Sequence, residues 1–165
     1  MKTLLLIRHA KAERAGPHLP DHDRPLDDKG RGEAREMGRR LKQRGIVPDR
    51  IITSTALRAV TTARLIAGEL GVAAEVLVED RRLYASAPAK LLLVLQELDE
   101  GPACVALVGH NPEMTELAQH LAARAPDMAT GAVAQMDFEL ASWVGIDTVE
   151  PTRTLFQAPG TGADR

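Results

Sequence analysis

The chain has 165 residues, enough for one domain of ordinary size that buries a core without disulfides or a structural metal. Its 23 acidic residues against 21 Lys and Arg leave a net charge of −2, which advertises neither a nucleic-acid nor a membrane surface, and aromatics at 2% are too sparse for a base-stacking platform. The single cysteine, Cys104, excludes a disulfide framework and suits a reducing cytoplasm.

In chain order, the start "MKTLLLI" with "AKA" close behind imitates a secretion signal, but Arg8 cuts the apolar run short of the roughly 7–15 residues such a signal needs. No segment approaches the roughly 20 apolar residues of a membrane span, so the expectation is a soluble cytoplasmic protein whose first strand is "TLLLI". A helix follows, capped at Asp27 or Asp28, burying Ala34, Met37, Gly38 and Leu41 at helical spacing and stopping at Gly45. "RIITS" reads as a short strand. The next helix buries Ala56, Ala59, Val60, Ala63, Ile66, Ala67 and Leu70 and ends at Gly71.

"AAEVLV" is a third strand, after which Ser86 caps a helix with Pro88 in its first turn and Leu91, Val94, Leu95 and Leu98 as its apolar stripe. "ACVALV" is the most apolar strand, holding Cys104 as a buried thiol. Asn111 then caps a helix opened by Pro112, with Leu117, Ala118 and Leu121 on one face. "AVAQMDFEL" and "TRTLF" are weaker strand patterns. The tail "APGTGADR", from residue 158, has the composition of a disordered end, leaving residues 1–157 as a single domain. Strand and helix units in alternation specify an α/β fold: three layers, a mostly parallel central sheet and helices on both faces.

Open parallel sheets gather ligands beyond the carboxyl ends of their strands. Three such junctions carry unusual residues: Arg8 and His9 after "TLLLI", Arg58 in "TSTALR" after "RII", and His110 in "GHNP" after "ACVALV". Each taken singly is an ordinary junction residue; two arginines and two histidines at equivalent edges of one sheet are a set. Arginine presents a planar fork that matches phosphate oxygens, and helix N-termini add backbone donors. A neutral imidazole beside a phosphoryl group is a donor, an acid or a nucleophile, and on this reasoning either His9 or His110 is placed to attack phosphorus.

A metal is the rival for the histidines. "HLPDHD", with His18, Asp21, His22 and Asp23, offers nitrogen and oxygen ligands from one loop, yet it matches no compact ligand spacing, and the arginines around His9 repel a divalent cation. Gly30 and Gly32 in "KGRGEA" do not make a dinucleotide loop, because no strand precedes them and the third glycine is missing. No Walker-type loop or exposed-serine elbow is present.

"LIRHAKAE", "STALRAVTTA" and "VGHNP", in this order and spacing, resemble the histidine phosphatase superfamily, the phosphoglycerate mutase-like fold, and within it the small SixA-like phosphohistidine phosphatase branch. The resemblance runs from residue 3 to about Ala122. It implies that His9 is the phosphorylated nucleophile and that Arg8, Arg58 and His110 hold the phosphoryl group; "DRPLDDKG" adds Arg24 as a substrate-binding residue. No cofactor or metal is implied, and the implied partner is a histidine-phosphorylated phosphocarrier or phosphorelay domain. Two departures stand out. Ala10 replaces the family glycine after the histidine, adding to that turn a methyl group that the branch tolerates. Ala85, in "DRRLYASAP", stands where ester-cleaving relatives carry the glutamate that protonates the leaving alkoxide.

Loss of such an acid costs roughly 100- to 10,000-fold on phosphoesters. A phosphorylated imidazole needs less help, since ring protonation already makes it a good leaving group. The short chain also has little length for a roof over the pocket, which leaves it open to a side chain on another protein. The expected activity is therefore hydrolysis of protein phosphohistidine through phospho-His9. Glu13, Asp23, Glu79 and Asp80 are the stand-in acids that would make a broad phosphomonoesterase instead, and a phosphate-binding regulatory domain without turnover is the reading from a different class.

Overall fold

The computed structural model describes residues 1–161. Its elements alternate as the sequence pattern requires: β1 (Lys2–Arg8), α1 (Asp28–Gln43), β2 (Arg50–Thr53), α2 (Leu57–Leu70), β3 (Leu77–Glu79), α3 (Pro88–Gln96), β4 (Cys104–Gly109), α4 (Glu113–Leu121), β5 (Val133–Phe138) and β6 (Arg153–Gln157). The strands form one sheet in the order β3-β2-β4-β1-β5-β6. Pairings from β3 through β2 and β4 to β1 are parallel; β5 runs antiparallel to β1 and β6 antiparallel to β5.

β1 reads as an unbroken apolar run because both of its faces are covered. Successive strand side chains point to opposite faces, so Leu4 and Leu6 pack with α3 and α4 while Leu5 and Ile7 pack with α1 and α2; all four are at most 1% exposed. Burial of each contributes about 1.5–3 kcal/mol before chain entropy is charged against it. At the amino ends of the strands Trp143 is fully buried, its indole N–H donating to the Pro102 carbonyl at 2.7 Å, with the Lys2 ammonium 5.9 Å from its ring centroid. Among the described residues no helix is long and apolar enough to cross a membrane.

Asp27 caps α1 as expected, accepting from Gly30 N at 2.7 Å, and Gly71 ends α2 with φ +70. Gly30 has a second duty: a Cβ there would collide with the Lys11 carbonyl, so only glycine lets α1 start this close to the loop leaving His9. Ala10 carries the methyl group that departs from the family glycine. It is fully buried in a small cluster with Leu26 and Ala34, against which Leu65 packs.

Other expectations need correction. Only the last two residues of "AAEVLV", Leu77 and Val78, are strand, with β3 running on to Glu79, because a 3-10 turn takes up Ala74–Val76. Ser86 does not cap α3; Ala87 holds that position in extended backbone, and the buried Ser86 Oγ has no partner. α4 starts at Glu113, one residue later than expected, with Pro112 at the cap; the Asn111 side chain instead accepts from Thr115 N at 3.2 Å. Cys104 is half-buried at the first residue of β4, where burial pushes its thiol up to about 12. The tail divides: Arg40 of α1 donates to the carbonyls of Ala158 and Thr161, so residues 158–161 are tied down, while residues 162–165 of the expected disordered end lie outside the described residues.

Candidate active site

Parallel register brings the three strand-end junctions together. Arg8 pairs with Gly109 and Thr53 with Val108, so β1, β2 and β4 end level with one another. The ladder continues one residue further, through His9 N to Gly109 O and Ser54 N to Val108 O, both at 2.9 Å. His9 and His110 thus leave adjacent strands at the same height, with ring centroids 5.1 Å apart. Thr62, on the buried side of α2, accepts from Ala10 N at 3.0 Å and donates to the Arg58 carbonyl at 2.7 Å, linking the nucleophile loop to the first turn of α2.

His9, Arg58 and His110 are 8%, 5% and 7% exposed. Buried polar atoms are normally paired, yet among the described residues four buried side-chain atoms have no partner, and three of them belong to this cluster: Arg8 Nε, Arg58 Nε and His110 Nδ1. Other donors of the two arginines are anchored. Arg8 donates to the Met128 carbonyl at 2.9 Å; Arg58 donates to the Asp21 carbonyl at 2.7 Å and to Asp21 Oδ2 at 3.1 Å. Rigidly held cations that keep unused N–H groups in a buried place form a site for an anion.

His9 Nδ1 lies 2.7 Å from the Ala10 carbonyl. A carbonyl only accepts, so Nδ1 carries the proton and Nε2 carries the lone pair. Burial, reinforced by the charges of Arg58, Arg8 and Arg24, lowers the His9 pKa to about 4 despite the opposing Ala10 hydrogen bond. Burial is also the first cause for His110, lowered to about 3, followed by its neighbour His9 and then Arg58. Both rings are therefore neutral through the physiological range.

That neutrality links folding to pH. The unfolded chain protonates each imidazole near pH 6.5, while the native state resists until about pH 4 and 3, so between these limits the unfolded state binds more protons. The contribution is complete above pH 6.5 and is lost as pH falls. Urea denaturation at pH 7.0 and 4.5 should show a loss on the order of several kcal/mol, with the slope flattened in a His9→Asn, His110→Asn double variant. An unchanged pH slope in that variant would contradict the assignment.

Arg24 reaches the rim of the cluster rather than its floor, donating to Asp21 Oδ1 at 3.0 Å and to the Glu13 carbonyl at 2.9 Å. In the "HLPDHD" loop, Asp21 takes Arg58 and Arg24, and His22 Nε2 lies 2.9 Å from Thr55 Oγ1. Of the candidate stand-in acids, Glu13, Asp23 and Glu79 are exposed, and Asp80 is bound to Arg82. Two residues passed over in the sequence help build the site. Ser54 Oγ sits 2.7 Å from His110 Nε2; Tyr84 OH donates to Asp21 Oδ2 at 2.8 Å; and the Tyr84 ring lies edge-on to His110 at 5.6 Å and to His22 at 4.8 Å. For Tyr84 the signal was adjacency to Ala85, which itself adopts φ +48.

The same α/β fold occurs in solved phosphatase structures. A structure of SixA from Agrobacterium tumefaciens superposes with a TM-score of 0.80 at 28% identity, covering 96% of this chain and 99% of that one. The protein histidine phosphatase SixA complexed with tungstate gives 0.81 at 24% identity, covering 95% and 97%. An uncharacterized protein from Picosynechococcus sp. is 34% identical over 125 residues, 72% of either chain. The profile of the histidine phosphatase superfamily (branch 1) matches residues 4–83, and the chain belongs to that superfamily. It is a phosphatase of the SixA-like kind.

Proposed function

We propose that the protein removes the phosphoryl group from phosphohistidine on a partner protein, through a phospho-His9 intermediate. The observation that carries this reading is the set of three unpartnered buried nitrogens, Arg8 Nε, Arg58 Nε and His110 Nδ1, around an imidazole whose Nε2 lone pair is free. The arginines bind phosphoryl oxygens and hold the charge of the transition state. Ser54 Oγ accepts from Ala56 N at 3.2 Å; in the tautomer this mechanism uses, it donates to His110 Nε2, and the His110 proton sits on Nδ1 for a phosphoryl oxygen.

In the first step the bond from His9 Nε2 to phosphorus forms as the bond from phosphorus to the substrate imidazole breaks, and that imidazole departs neutral because its ring was already protonated. Water then attacks phosphorus, releasing phosphate and restoring His9. Ester cleavage needs an acid, and neither Ala85 nor Asp21 supplies one. Ala85 has none, and Asp21 is held at about pKa 2 by the Tyr84 hydrogen bond first and the Arg58 hydrogen bond next, so it carries no proton to give near pH 7.

The test is to offer the purified protein a histidine-phosphorylated carrier domain, p-nitrophenyl phosphate and 3-phosphoglycerate in parallel. Dephosphorylation of the carrier should exceed hydrolysis of either ester by at least about 100-fold in kcat/KM, the low end of what a missing general acid costs. Comparable rates on all three would make the protein a broad phosphomonoesterase, and no turnover on any would make it a binding domain.

A further inference from the structure

Asp21 is the most heavily engaged side chain of the site, and phosphoryl transfer as derived above gives it no task. One carboxylate collects Arg58 Nη2 at 3.1 Å, Arg24 Nε at 3.0 Å and the Tyr84 hydroxyl at 2.8 Å, while its backbone carbonyl takes Arg58 Nη1 at 2.7 Å. It stands on the short 3-10 turn Asp21–Asp23, with its side chain 51% exposed, so it sits at the mouth and not in the core. The residue it grips is 5% exposed and is one of the two arginines that line the anion site. Two carboxylate oxygens on neighbouring guanidinium groups present the same hydrogen-bond pattern as two oxygens of a phosphoryl group.

We propose that Asp21 is a resident anion that competes with phosphate for Arg58 and Arg24, setting the site against free oxyanions and in favour of a phosphoryl group delivered on a docked protein. This rests on the reading of Arg8, Arg58 and His110 as the phosphoryl site. A fixed negative charge bound to the same guanidinium repels an incoming dianion and occupies part of its cation. The effect falls on every ligand that has only its phosphoryl charge to offer, including the product. A protein substrate brings contacts outside the pocket and a high local concentration of the reacting group, which offset the penalty. Asp21 acts through Arg58 and Arg24, and so is a positioning and specificity residue rather than a catalytic one.

A purely structural role predicts the opposite sign. If Asp21 only orients Arg58, neutralising it loosens the arginine and weakens oxyanion binding. The deciding experiment titrates tungstate and inorganic phosphate calorimetrically into the wild-type protein, Asp21→Asn, Asp21→Glu and, as a control for net charge, Asp28→Asn, whose partner is the surface residue Arg31. Asp21→Asn should bind both oxyanions about 10-fold tighter, a change a single nearby charge supplies at a partly solvated site. Its turnover on p-nitrophenyl phosphate should show a lower KM without a higher kcat, and stronger inhibition by phosphate. Asp28→Asn should remain like wild type, and Asp21→Glu, which keeps the negative charge, should not bind the oxyanions tighter than wild type.

Equal or weaker oxyanion binding by Asp21→Asn, with the wild type binding, overturns the competition and leaves the phosphoryl site standing. Equal tightening by Asp28→Asn overturns it as well, since net charge alone would then be responsible. Absence of oxyanion binding in both wild type and Asp21→Asn overturns the competition and the site together.

Discussion

His9→Ala should abolish turnover of a histidine-phosphorylated carrier, by at least about 10,000-fold in kcat, while leaving the fold intact. The size follows from the role: with no imidazole Nε2 there is no covalent intermediate, and water must attack the substrate unaided. The fold survives because His9 lies at the carboxyl edge of the sheet, and its polar ring contact is to its own neighbour, the Ala10 carbonyl. The proof of role is chemical. Acid-labile, base-stable phosphate should label the wild-type protein in rapid-quench samples and be absent from His9→Ala. A His9→Ala protein that keeps wild-type turnover would remove the nucleophile assignment, and labelling of both proteins would move it to another residue.

Arg58→Lys is expected to cost about 100- to 1,000-fold in kcat/KM, the range found when one preorganised donor of a transition-state site is lost. Charge is retained in this substitution, so the loss measures geometry. A lysine ammonium cannot span the Asp21 carbonyl, Asp21 Oδ2 and a phosphoryl oxygen together, as the guanidinium fork does. Because Arg58 is almost wholly buried, the same variant should also unfold at lower denaturant, and steady-state rates must be compared at protein concentrations corrected for the folded fraction. A wild-type rate in Arg58→Lys would show that net charge, not the fork, is what the site needs.

Much of this was legible before any coordinates. Among the described residues, apolar periodicity located the four α-helices and, apart from the bounds of β3, the six strands, and the strand-then-helix alternation placed Arg8, His9, Arg58 and His110 at one edge. What periodicity cannot express is register. That β1 and β4 are neighbours, with Arg8 opposite Gly109, depends on side-chain packing across the whole sheet, and only this pairing brings the two imidazoles to 5.1 Å. Loops were the other blind spot. Asp21 was visible as one acid of a His/Asp cluster, but its partners Arg58, Arg24 and Tyr84 are 37, 3 and 63 residues away. Nothing local distinguishes it from Asp23, which lies exposed 3.6 Å from His22. Ser86 misled for a related reason: it has the residue type of a helix cap, while the chain enters α3 through Ala87.

The chain has one tryptophan and one tyrosine, and the fold sends them to opposite ends. Trp143 is sealed at the amino ends of the strands, locked to Pro102 and Lys2, whereas Tyr84 stands in the wall of the site with its hydroxyl on Asp21. The molecule thereby carries two separate optical reporters. Indole emission follows loss of the core and is blind to events at the pocket, while the ultraviolet absorbance of the phenol senses whether Asp21 has let go.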